Sequence, residues 1–574
     1  MKNYLAIFCH ALMVIGCLSL IPALYGEVKL PALISNNMLL QSNKPVPTWG
    51  CADPGEKVKV TFDGRTFETT AAASGNWRVE LKPMASGTSG NMTVEGKNKT
   101  CISNVLVGSV WVCSGQSNME MRIGHTNNAA IEIPKANYPK IRLFRVKRTT
   151  ALQPQTDVEG HWVECSPETL PIQEEGFSGV AYFFGRDVHI ATGVPVGLIE
   201  AAWGGTPAEA WTSLSGLRQN VALQKHVQHF ENLIQTMPTL KAEYEKNRAE
   251  FPEKHKAWKE ANKLHQEALN TKGAEVAHAK AKNSTATAKA LPISPEPRLG
   301  LAPDKDRHTP TFLYNGMIAP LISYAIEGVI WYQGERNTSS ALEYRTLFPA
   351  MIADWRQKWG QGNFPFIYCQ LANFMPKQAQ PGESDWAELR EAQRLTLQEP
   401  NTGMAVLIDV GESWDIHPRN KMEVGSRLAR IALAKCFGKG GQYTGPVYHS
   451  MKVEGNKIRL SFDAVGGELV ARELPATYDV ETAKKRFSPL VRNRPNSQLE
   501  GFAICEANRK WRWADAVIDG QTVVVSAPEV NQPVAVRYAW ANNPTCNLYN
   551  KEGLPASPFQ THDESLLITQ PNKK

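Results

Sequence analysis

The chain has 574 residues, of which 42% are hydrophobic, and a formal net charge of +7 at pH 7. Its length is too great for one ordinary core, so we expect roughly two to four domains, and its composition is that of an ordinary soluble globular protein. The lysines are crowded into residues 240–290 and are not interleaved with aromatic side chains. This pattern indicates a solvated surface and argues against a nucleic-acid partner.

Residues 1–26 have a lysine near their start and then a long apolar run, which is typical of an export leader. Cleavage near Gly26 predicts a secreted or periplasmic protein. Residues 14–17 (VIGC) also resemble a lipobox, which would leave Cys17 lipidated at the new N-terminus. The apolar residues after Cys17 favour the simple leader, and no later stretch has the roughly 20 apolar residues that a transmembrane segment needs.

The leader contains two of the ten cysteines, so eight remain in the mature chain. An oxidising compartment permits disulfides among them, but their pairing cannot be read from the sequence. The chain has no C-x-x-C spacing and no paired histidine pattern, so we expect no metal site. Nothing in the sequence indicates an oligomeric state.

The texture of the sequence divides the mature chain into three parts. Residues 27–104 contain short alternating segments separated by glycine-rich turns, which predict a small β-sandwich. Over residues 105–439, apolar β-rich runs alternate with segments of helical period, which predicts an α/β domain with a parallel sheet and helices on both faces. Short strands return over residues 440–574 and predict a C-terminal β-rich domain.

The α/β part contains six candidate strands and two clear amphipathic helices. The predicted strands are 109–113, 141–144, 196–202, 328–333, 364–372 and 405–410. The helices are predicted from side chains that share one face, namely Phe348, Ile352, Trp355 and Trp359 in the first and Val424, Leu428, Ile431 and Ala432 in the second. We therefore expect five or six parallel strands.

Residues 218–310 interrupt the alternation of predicted strands and helices, because they are charged and poor in apolar side chains. We expect an inserted helical hairpin in which Pro252 divides two helices, followed by an exit rich in Ala, Lys and Thr. A solvated decoration and a lid over the functional site are both open as interpretations.

Three polar segments follow predicted strands of the sheet. The segment 113–119 (CSGQSNM) holds a Gly-x-Ser turn, which exposes a hydroxyl and offers a backbone N–H to an oxyanion. The second segment is 331–337 (WYQGERN), and the third is 409–418 (DVGESWDIHP), where a carboxylate stands two residues before His417. Because the carboxyl ends of parallel strands meet at one edge, these segments together predict a serine hydrolase.

The same segments resemble the sialate O-acetylesterase-like carbohydrate esterases of the SGNH-hydrolase superfamily. The words that carry the resemblance are VCSGQSNM, WYQGERN and DIHPRNK, with GLIEAAWGGTPAEAW and FLYNGMIAPL between them in family order. It covers nearly the whole mature chain and includes MLLQSNKPVPTWGCADPGEKV in the N-terminal part. The resemblance implies an SGNH-type, flavodoxin-like sheet and a reaction that needs no metal or organic cofactor.

Position by position, the resemblance implies that Ser117 is the nucleophile, His417 the general base and Asp415 the group that orients the imidazole. The superfamily at large has its acid three residues before the histidine, where this chain has Trp414, so Asp415 follows the narrower branch that reads Asp-Ile-His-Pro. The implied oxyanion donors are the backbone N–H of Ser117, that of Gly204 or Gly205, and the Gln333 amide. The implied substrate-binding or supporting residues are Gln116, Asn118, Asn315, Glu335 and Asn337.

The resemblance further implies that the substrate is an acetylated carbohydrate, either an O-acetylated sialic acid or a plant polysaccharide such as acetylxylan. Two other functions stay open. A lipase or thioesterase on the same fold would need an apolar acyl channel, which the polar insertion does not offer. An inactive glycan-binding relative would not be expected to keep Ser117, Gln333, Asp415 and His417 together.

Overall fold

The computed structural model describes residues 27–171, 176–281, 295–483 and 486–562. The predicted leader, residues 1–26, lies outside these ranges, so export stays a prediction. Residues 282–294, in the exit of the insertion, also lie outside them. Within the described residues, no helix combines the length and apolar character needed to cross a membrane.

The elements are numbered in chain order. The strands are Leu39–Gln41 (β1), Val46–Cys51 (β2), Lys57–Phe62 (β3), Arg65–Thr70 (β4), Asn76–Leu81 (β5), Ser89–Glu95 (β6), Lys99–Gly115 (β7), Tyr138–Arg145 (β8), Trp162–Cys165 (β9), Val196–Ala202 (β10), Gly328–Tyr332 (β11), Phe366–Cys369 (β12), Thr402–Ala405 (β13), Val447–Glu454 (β14), Lys457–Asp463 (β15), Leu469–Ala471 (β16), Phe502–Cys505 (β17), Arg512–Trp513 (β18), Asp515–Asp519 (β19), Thr522–Ser526 (β20), Ala535–Tyr538 (β21), Leu548–Asn550 (β22) and Phe559–Gln560 (β23). The α-helices are Ser117–Glu120 (α1), Ala129–Glu132 (α2), Gly179–Thr192 (α3), Leu214–Arg218 (α4), Gln224–Ala281 (α5), Ala341–Trp359 (α6), Asp385–Leu395 (α7) and Lys421–Phe437 (α8).

The central sheet has the strand order β13-β12-β11-β7-β10-β8-β9. Its first six strands in this order are mutually parallel, and β9 pairs antiparallel with β8 at the edge. The architecture is therefore mixed α/β, as expected. The strand predicted at 405–410 is wrong in its bounds: β13 ends at Ala405, because the chain turns where the Val410 N–H bonds to the Leu407 carbonyl.

Alternate side chains of the central strands enter two different cores, as the period of a β-strand requires. Val110 and Val112 of β7 belong to the core that α6 covers with Phe348, whereas Trp111 and Cys113 belong to the core that α3 and α8 cover. Helices therefore pack on both faces of the sheet. The continuous apolar runs of the sequence arise because both faces of each strand are buried.

Strand β7 is shared between two groups of neighbours. Near its start it pairs antiparallel with β6, and over Leu106–Gly108 it pairs with β1. From Ser109 to Gly115 it lies between β10 and β11 in the parallel sheet. The predicted boundary at Val105 thus falls inside one continuous strand, and the change in sequence texture marks a change of neighbours.

The insertion differs from the expected hairpin. Helix α5 runs without a break from Gln224 to Ala281 and contains both Pro238 and Pro252, so the prediction that Pro252 divides two helices is wrong. A proline has no N–H to donate, so the carbonyl four residues earlier loses its helical hydrogen bond. For Pro252 that carbonyl belongs to Arg248, which is exposed, so water can bond to it and the helix continues.

The C-terminal part is β-rich, with antiparallel sheets of order β14-β15-β20-β19 and β18-β17-β21-β23. It contacts the loop that carries His417, because Asp479 accepts the Ser413 N–H at 2.5 Å. The eight cysteines of the described residues are all free thiols.

Candidate active site

The ends of β7 and β11 approach each other closely at the candidate site. Gly115, the last residue of β7, has φ +139°, and a Cβ on it would lie 2.1 Å from the Tyr332 carbonyl oxygen. Only glycine permits this approach without moving the backbone. The chain then turns into α1, whose first residue is Ser117, and the Gly-x-Ser of the sequence is thereby explained.

Ser117 and His417 are in hydrogen-bonding contact although 300 residues separate them in the chain. The distance from Ser117 Oγ to His417 Nε2 is 2.9 Å. In the tautomer with a proton on Nδ1, the serine hydroxyl donates to Nε2, which is the arrangement that lets a histidine remove the serine proton. This contact joins the first and third predicted segments.

Asp415 is the carboxylate beside the imidazole. Its Oδ1 atom lies 3.4 Å from His417 Nδ1 and accepts the backbone N–H of His417 at 2.9 Å. A separation of 3.4 Å is longer than a normal hydrogen bond. Asp415 is therefore hydrogen-bonded to the backbone of His417 and lies close enough to its ring for an electrostatic interaction.

The neighbouring carboxylates have other partners. Glu412 is buried, accepts the Arg419 N–H at 2.8 Å and forms an ion pair with the same arginine. Asp409 pairs with Arg427 at 2.7 Å, and this cation holds the pKa of Asp409 below its usual range against the effect of burial. Trp414, which stands where the superfamily at large has its acid, is 53% exposed. Asp415 is thus the carboxylate of this segment that faces His417.

The pKa of His417 is lowered mainly by burial, and the nearby Lys421 lowers it further. Asp415 acts in the opposite direction and raises it. Burial and Lys421 prevail, so the pKa of His417 is shifted downward and its neutral form is favoured. A general base must be neutral to accept a proton, so these surroundings suit His417 to that task.

The structure distinguishes the two candidate glycine donors. The Gly204 N–H donates to Glu120 Oε2 at 2.7 Å and is therefore occupied. Among the described residues, the N–H groups of Ser117 and Gly205 have no hydrogen-bond partner. Gly205 has φ +73°, a left-handed conformation that glycine adopts without strain. The two open donors beside the Ser117 hydroxyl are thus the N–H groups of Ser117 and Gly205.

Gln333 does not reach the site. Its side chain is fully buried, and Nε2 donates to the Thr206 carbonyl at 3.2 Å and to Asn337 Oδ1 at 2.6 Å. Its Oε1 accepts the Tyr344 hydroxyl at 2.9 Å. Because both amide hydrogens are used inside the protein, the expected oxyanion donor is a support for the Gly204–Thr206 turn.

The predicted substrate-binding residues fall into two groups. Gln116 and Glu335 line the cavity at Ser117. Asn118, Asn315 and Asn337 are buried and bonded within the protein, so the structure does not bring them into the cavity. Asn315, for example, donates to the carbonyls of Ala151 and Leu152 at 3.1 Å.

The cavity around Ser117 has a volume of about 620 Å³ and is lined by Gln116, Ser117, Glu120, Arg148, Trp203, Gly204, Gly205, Arg307, Glu335, Arg336, Ile416 and His417. Its apolar contribution comes mainly from Trp203 and Ile416. A larger cavity of about 730 Å³, between α8 and the C-terminal strands, contains none of the predicted catalytic residues. Among the described residues, no group of His, Cys, Asp and Glu is arranged to hold a metal ion.

Three arginines line this cavity, and the sequence predicts only Arg336 at its rim. Arg148 pairs with Glu120. Arg307 and Arg336 have no ion-pair or side-chain hydrogen-bond partner in the described part of the chain, and a guanidinium nitrogen of Arg307 would lie 3.7 Å from a Cβ on Gly205. Arg336 belongs to the segment 331–337, which the sequence predicts at the site, whereas Arg148 and Arg307 lie in segments that no sequence pattern linked to it.

The family model for "Carbohydrate esterase, sialic acid-specific acetylesterase" matches residues 107–242 and 245–434, which is more than half of the chain. The chain belongs to this family. The match spans the segments of Ser117, Gln333 and His417. The carbohydrate esterase family thus accounts for the region that forms the cavity.

Similar proteins extend the likeness beyond the matched region. Sialate O-acetylesterase of Rattus norvegicus is 29% identical over 92% of this chain and 93% of its own length. The human protein of the same name is 26% identical over 92% of this chain and 91% of its own. The crystal structure of a carbohydrate acetylesterase from Xanthomonas citri superposes with a TM-score of 0.71, at 32% identity, over 93% of this chain and all of that one.

Proposed function

We propose that this carbohydrate esterase is a serine O-acetylesterase of the SGNH type that releases acetate from an acidic sugar, with O-acetylated sialic acid as the favoured substrate. The observation that carries the proposal is the 2.9 Å contact between Ser117 Oγ and His417 Nε2 in a cavity with open backbone donors. The leader predicted at residues 1–26 agrees with an extracellular or periplasmic substrate.

In the first step, His417 takes the hydroxyl proton as Ser117 Oγ attacks the acetyl carbonyl carbon. The oxyanion that forms accepts hydrogen bonds from the N–H groups of Ser117 and Gly205. The tetrahedral intermediate collapses, the C–O bond to the sugar breaks, and the imidazolium gives its proton to the leaving sugar oxygen. An acetyl group then remains on Ser117.

In the second step, water loses a proton to His417 and attacks the acetyl-enzyme. Collapse of this second intermediate breaks the bond to Ser117 Oγ, which regains its proton from His417, and acetate leaves. Asp415 stays ionised throughout and stabilises the imidazolium. The chain's own residues supply every group that these two steps need.

The lining of the cavity has three arginines and two glutamates, Glu120 and Glu335, and this excess of cationic side chains favours an acidic sugar over a neutral one. Glu120 is compensated by Arg148, whereas Arg307 and Arg336 have no carboxylate partner among the described residues. A guanidinium binds a carboxylate through paired, charge-assisted hydrogen bonds. Sialic acid carries such a carboxylate, and the xylan backbone does not.

The test compares acetate release from O-acetylated sialic acid and from acetylxylan by the wild type, Ser117→Ala, Arg307→Gln and Arg430→Gln. Arg430 is an exposed arginine of α8 outside the cavity and serves as the control. Ser117→Ala should lose nearly all activity while staying folded. Arg307→Gln should raise KM for the sialate about 10-fold or more, the cost of a lost charge-assisted hydrogen bond, and affect a neutral aryl acetate less.

A folded and active Ser117→Ala enzyme would refute the assignment of the nucleophile. Faster hydrolysis of acetylxylan than of acetylated sialic acid by the wild type would identify a neutral polysaccharide as the substrate. Equal effects of Arg307→Gln and Arg430→Gln on KM for the sialate would show that Arg307 does not bind the substrate carboxylate.

A further inference from the structure

Lys421, the first residue of α8, is a completely buried lysine that the reaction described above does not use. Its Nζ donates to Asn118 Oδ1 and lies 5.1 Å from the centre of the Tyr332 ring. Within the described residues no carboxylate lies within 4.0 Å of this ammonium group. Burying a cation without an ion pair lowers the stability of the folded protein. The contact of Lys421 with Asn118 is therefore a candidate for a functional role.

Asn118 links the neighbours of the nucleophile and of the base. It directly follows Ser117, and its Nδ2 donates to the carbonyl of Ile416, which directly precedes His417, at 3.0 Å. The same Nδ2 donates to Glu335 Oε1. These three polar contacts use Asn118 fully, with a cation on its oxygen and two acceptors on its nitrogen.

The Asn118 amide has one orientation that satisfies all three of its neighbours. Lysine is a donor without an acceptor, so only the amide oxygen can face Nζ. The Ile416 carbonyl and the Glu335 carboxylate are acceptors, so the NH₂ group faces them. Without the cation, Oδ1 would lose its donor in a buried site, and the amide would be held from one side only.

The electrostatic environment couples the same lysine to the base. The charged and titratable groups that act on Lys421 are Glu335, Cys369, Glu412 and Asp415, but burial prevails and lowers the pKa of Lys421 to about 8. The groups that act on His417 are Asp415, which raises its pKa, and Lys421, which lowers it. Lys421 thus opposes protonation of His417 as the pH falls.

We propose that Lys421 is a positioning residue of the esterase, which acts through Asn118 to hold the Ile416–His417 segment against Ser117 and whose positive charge acts on the His417 imidazole. The inference rests on the proposed function, because it assigns Lys421 a part in the Ser117–His417 reaction. It concerns the geometry and charge of the pair and involves no direct contact with the substrate.

The chain offers a closely matched control in Lys377. Its Nζ donates to an asparagine oxygen, Asn543 Oδ1, at 3.0 Å and lies 5.3 Å from the centre of the Tyr478 ring. Burial lowers the pKa of Lys377 to about 8, as it does for Lys421. Lys377 is half-buried where Lys421 is completely buried, but it makes the same two kinds of contact and no hydrogen bond to the neighbours of Ser117 or His417.

The experiment measures kcat and KM for a chromogenic acetate ester across pH with the full chain as wild type, Lys421→Met and Lys377→Met. For Lys421→Met we expect kcat to fall about 10- to 100-fold with little change in KM, as misalignment of reacting groups produces. The acidic limb of kcat/KM should move to higher pH, because removal of the cation raises the pKa of His417. Lys377→Met should keep the wild-type limb and most of kcat.

Two further variants keep the test decisive if Lys421→Met does not fold. Lys421→Arg retains a cation and should restore the acidic limb, whereas Asn118→Ala should lower kcat and leave the limb near its wild-type position. A wild-type limb in Lys421→Met, or equal effects of Lys421→Met and Lys377→Met, would overturn the proposal. A wrong proposed function would instead appear as equal activity of the wild type and Ser117→Ala, which is a separate result.

Discussion

Replacing Asp415 with Asn tests how much the carboxylate contributes to the base. The change keeps an oxygen that can accept the His417 N–H and removes only the charge. At the 3.4 Å that separates Asp415 Oδ1 from His417 Nδ1, Coulomb's law gives about 1 kcal/mol in bulk water and about 5 kcal/mol at an effective dielectric constant of about 20. Both side chains are more than one third exposed, so solvent screens the interaction. The interaction energy should therefore lie in the lower part of this range, at about 1–3 kcal/mol.

A loss of about 1–3 kcal/mol of imidazolium stabilisation predicts that kcat falls roughly 5- to 150-fold. The pH dependence should change in a defined direction. Asp415 raises the pKa of His417, so Asp415→Asn should lower it and move the acidic limb of kcat/KM to lower pH. The assay is hydrolysis of a chromogenic acetate ester between pH 4 and pH 9, about the range in which carboxylates and imidazoles titrate.

Glu412→Gln and Asp409→Asn are the controls because each carboxylate is held by an arginine away from His417. Asp409→Asn leaves Arg427 without its ion-pair partner in a buried site, so it should reduce thermal stability more than kcat. The reasoning would be refuted if Glu412→Gln lowered kcat more than Asp415→Asn in folded protein, or if the limb of Asp415→Asn moved to higher pH.

Three further predictions follow from the geometry. Gln333→Leu should lower the thermal midpoint, because each buried polar group that loses Gln333 as its partner costs about 1–3 kcal/mol of folding free energy. The variant should keep more than a tenth of the wild-type kcat. A 100-fold loss of kcat at unchanged stability would instead make Gln333 an oxyanion donor. Gly205→Ala should lower kcat more than Gly438→Ala, because strain at φ +73° would shift the Gly205 N–H relative to Ser117. Gly438 follows α8 with φ +59° and open space around it, so its substitution carries the same left-handed penalty of about 1–2 kcal/mol away from the site. Equal kcat values in folded protein would show that the position of the Gly205 N–H does not matter to the reaction. Acetate esters should be cleaved faster than butyrate or octanoate esters of the same alcohol. Trp203 and Ile416 are the large apolar side chains of the cavity lining, and two side chains do not form a continuous wall on which each further methylene would gain about 0.8 kcal/mol. An optimum at the octanoate would favour a lipase.

The sequence predicted the elements that a local pattern defines. The strand before Ser117, the helix with Phe348 on its buried face and the β-rich C-terminal part all follow from apolar periodicity and turn residues. The sequence also predicts that Ser117 and His417 lie close together, since parallel strands bring the segments that follow them to one edge of the sheet.

The sequence could not predict which polar groups are already used inside the protein. Gln333 was a plausible oxyanion donor until its bonds to Thr206 and Tyr344 were known, and these partners come from other elements. Pro252 was expected to end a helix, yet the exposed backbone before it can bond to water and the helix continues. Both outcomes depend on solvent access and tertiary contacts, which no local pattern records.

The continuity of β7 limits how such an enzyme can be rearranged by recombination. A genetic exchange at residue 104 would cut a strand whose N-terminal half pairs with β6 and whose C-terminal half leads directly to the turn that holds Ser117. The N-terminal strands are therefore not an accessory that could be gained, lost or swapped independently of catalysis. Descendants of this architecture should inherit both parts together, and truncations that begin at residue 105 should lose activity by disturbing the strand that carries Ser117 into position.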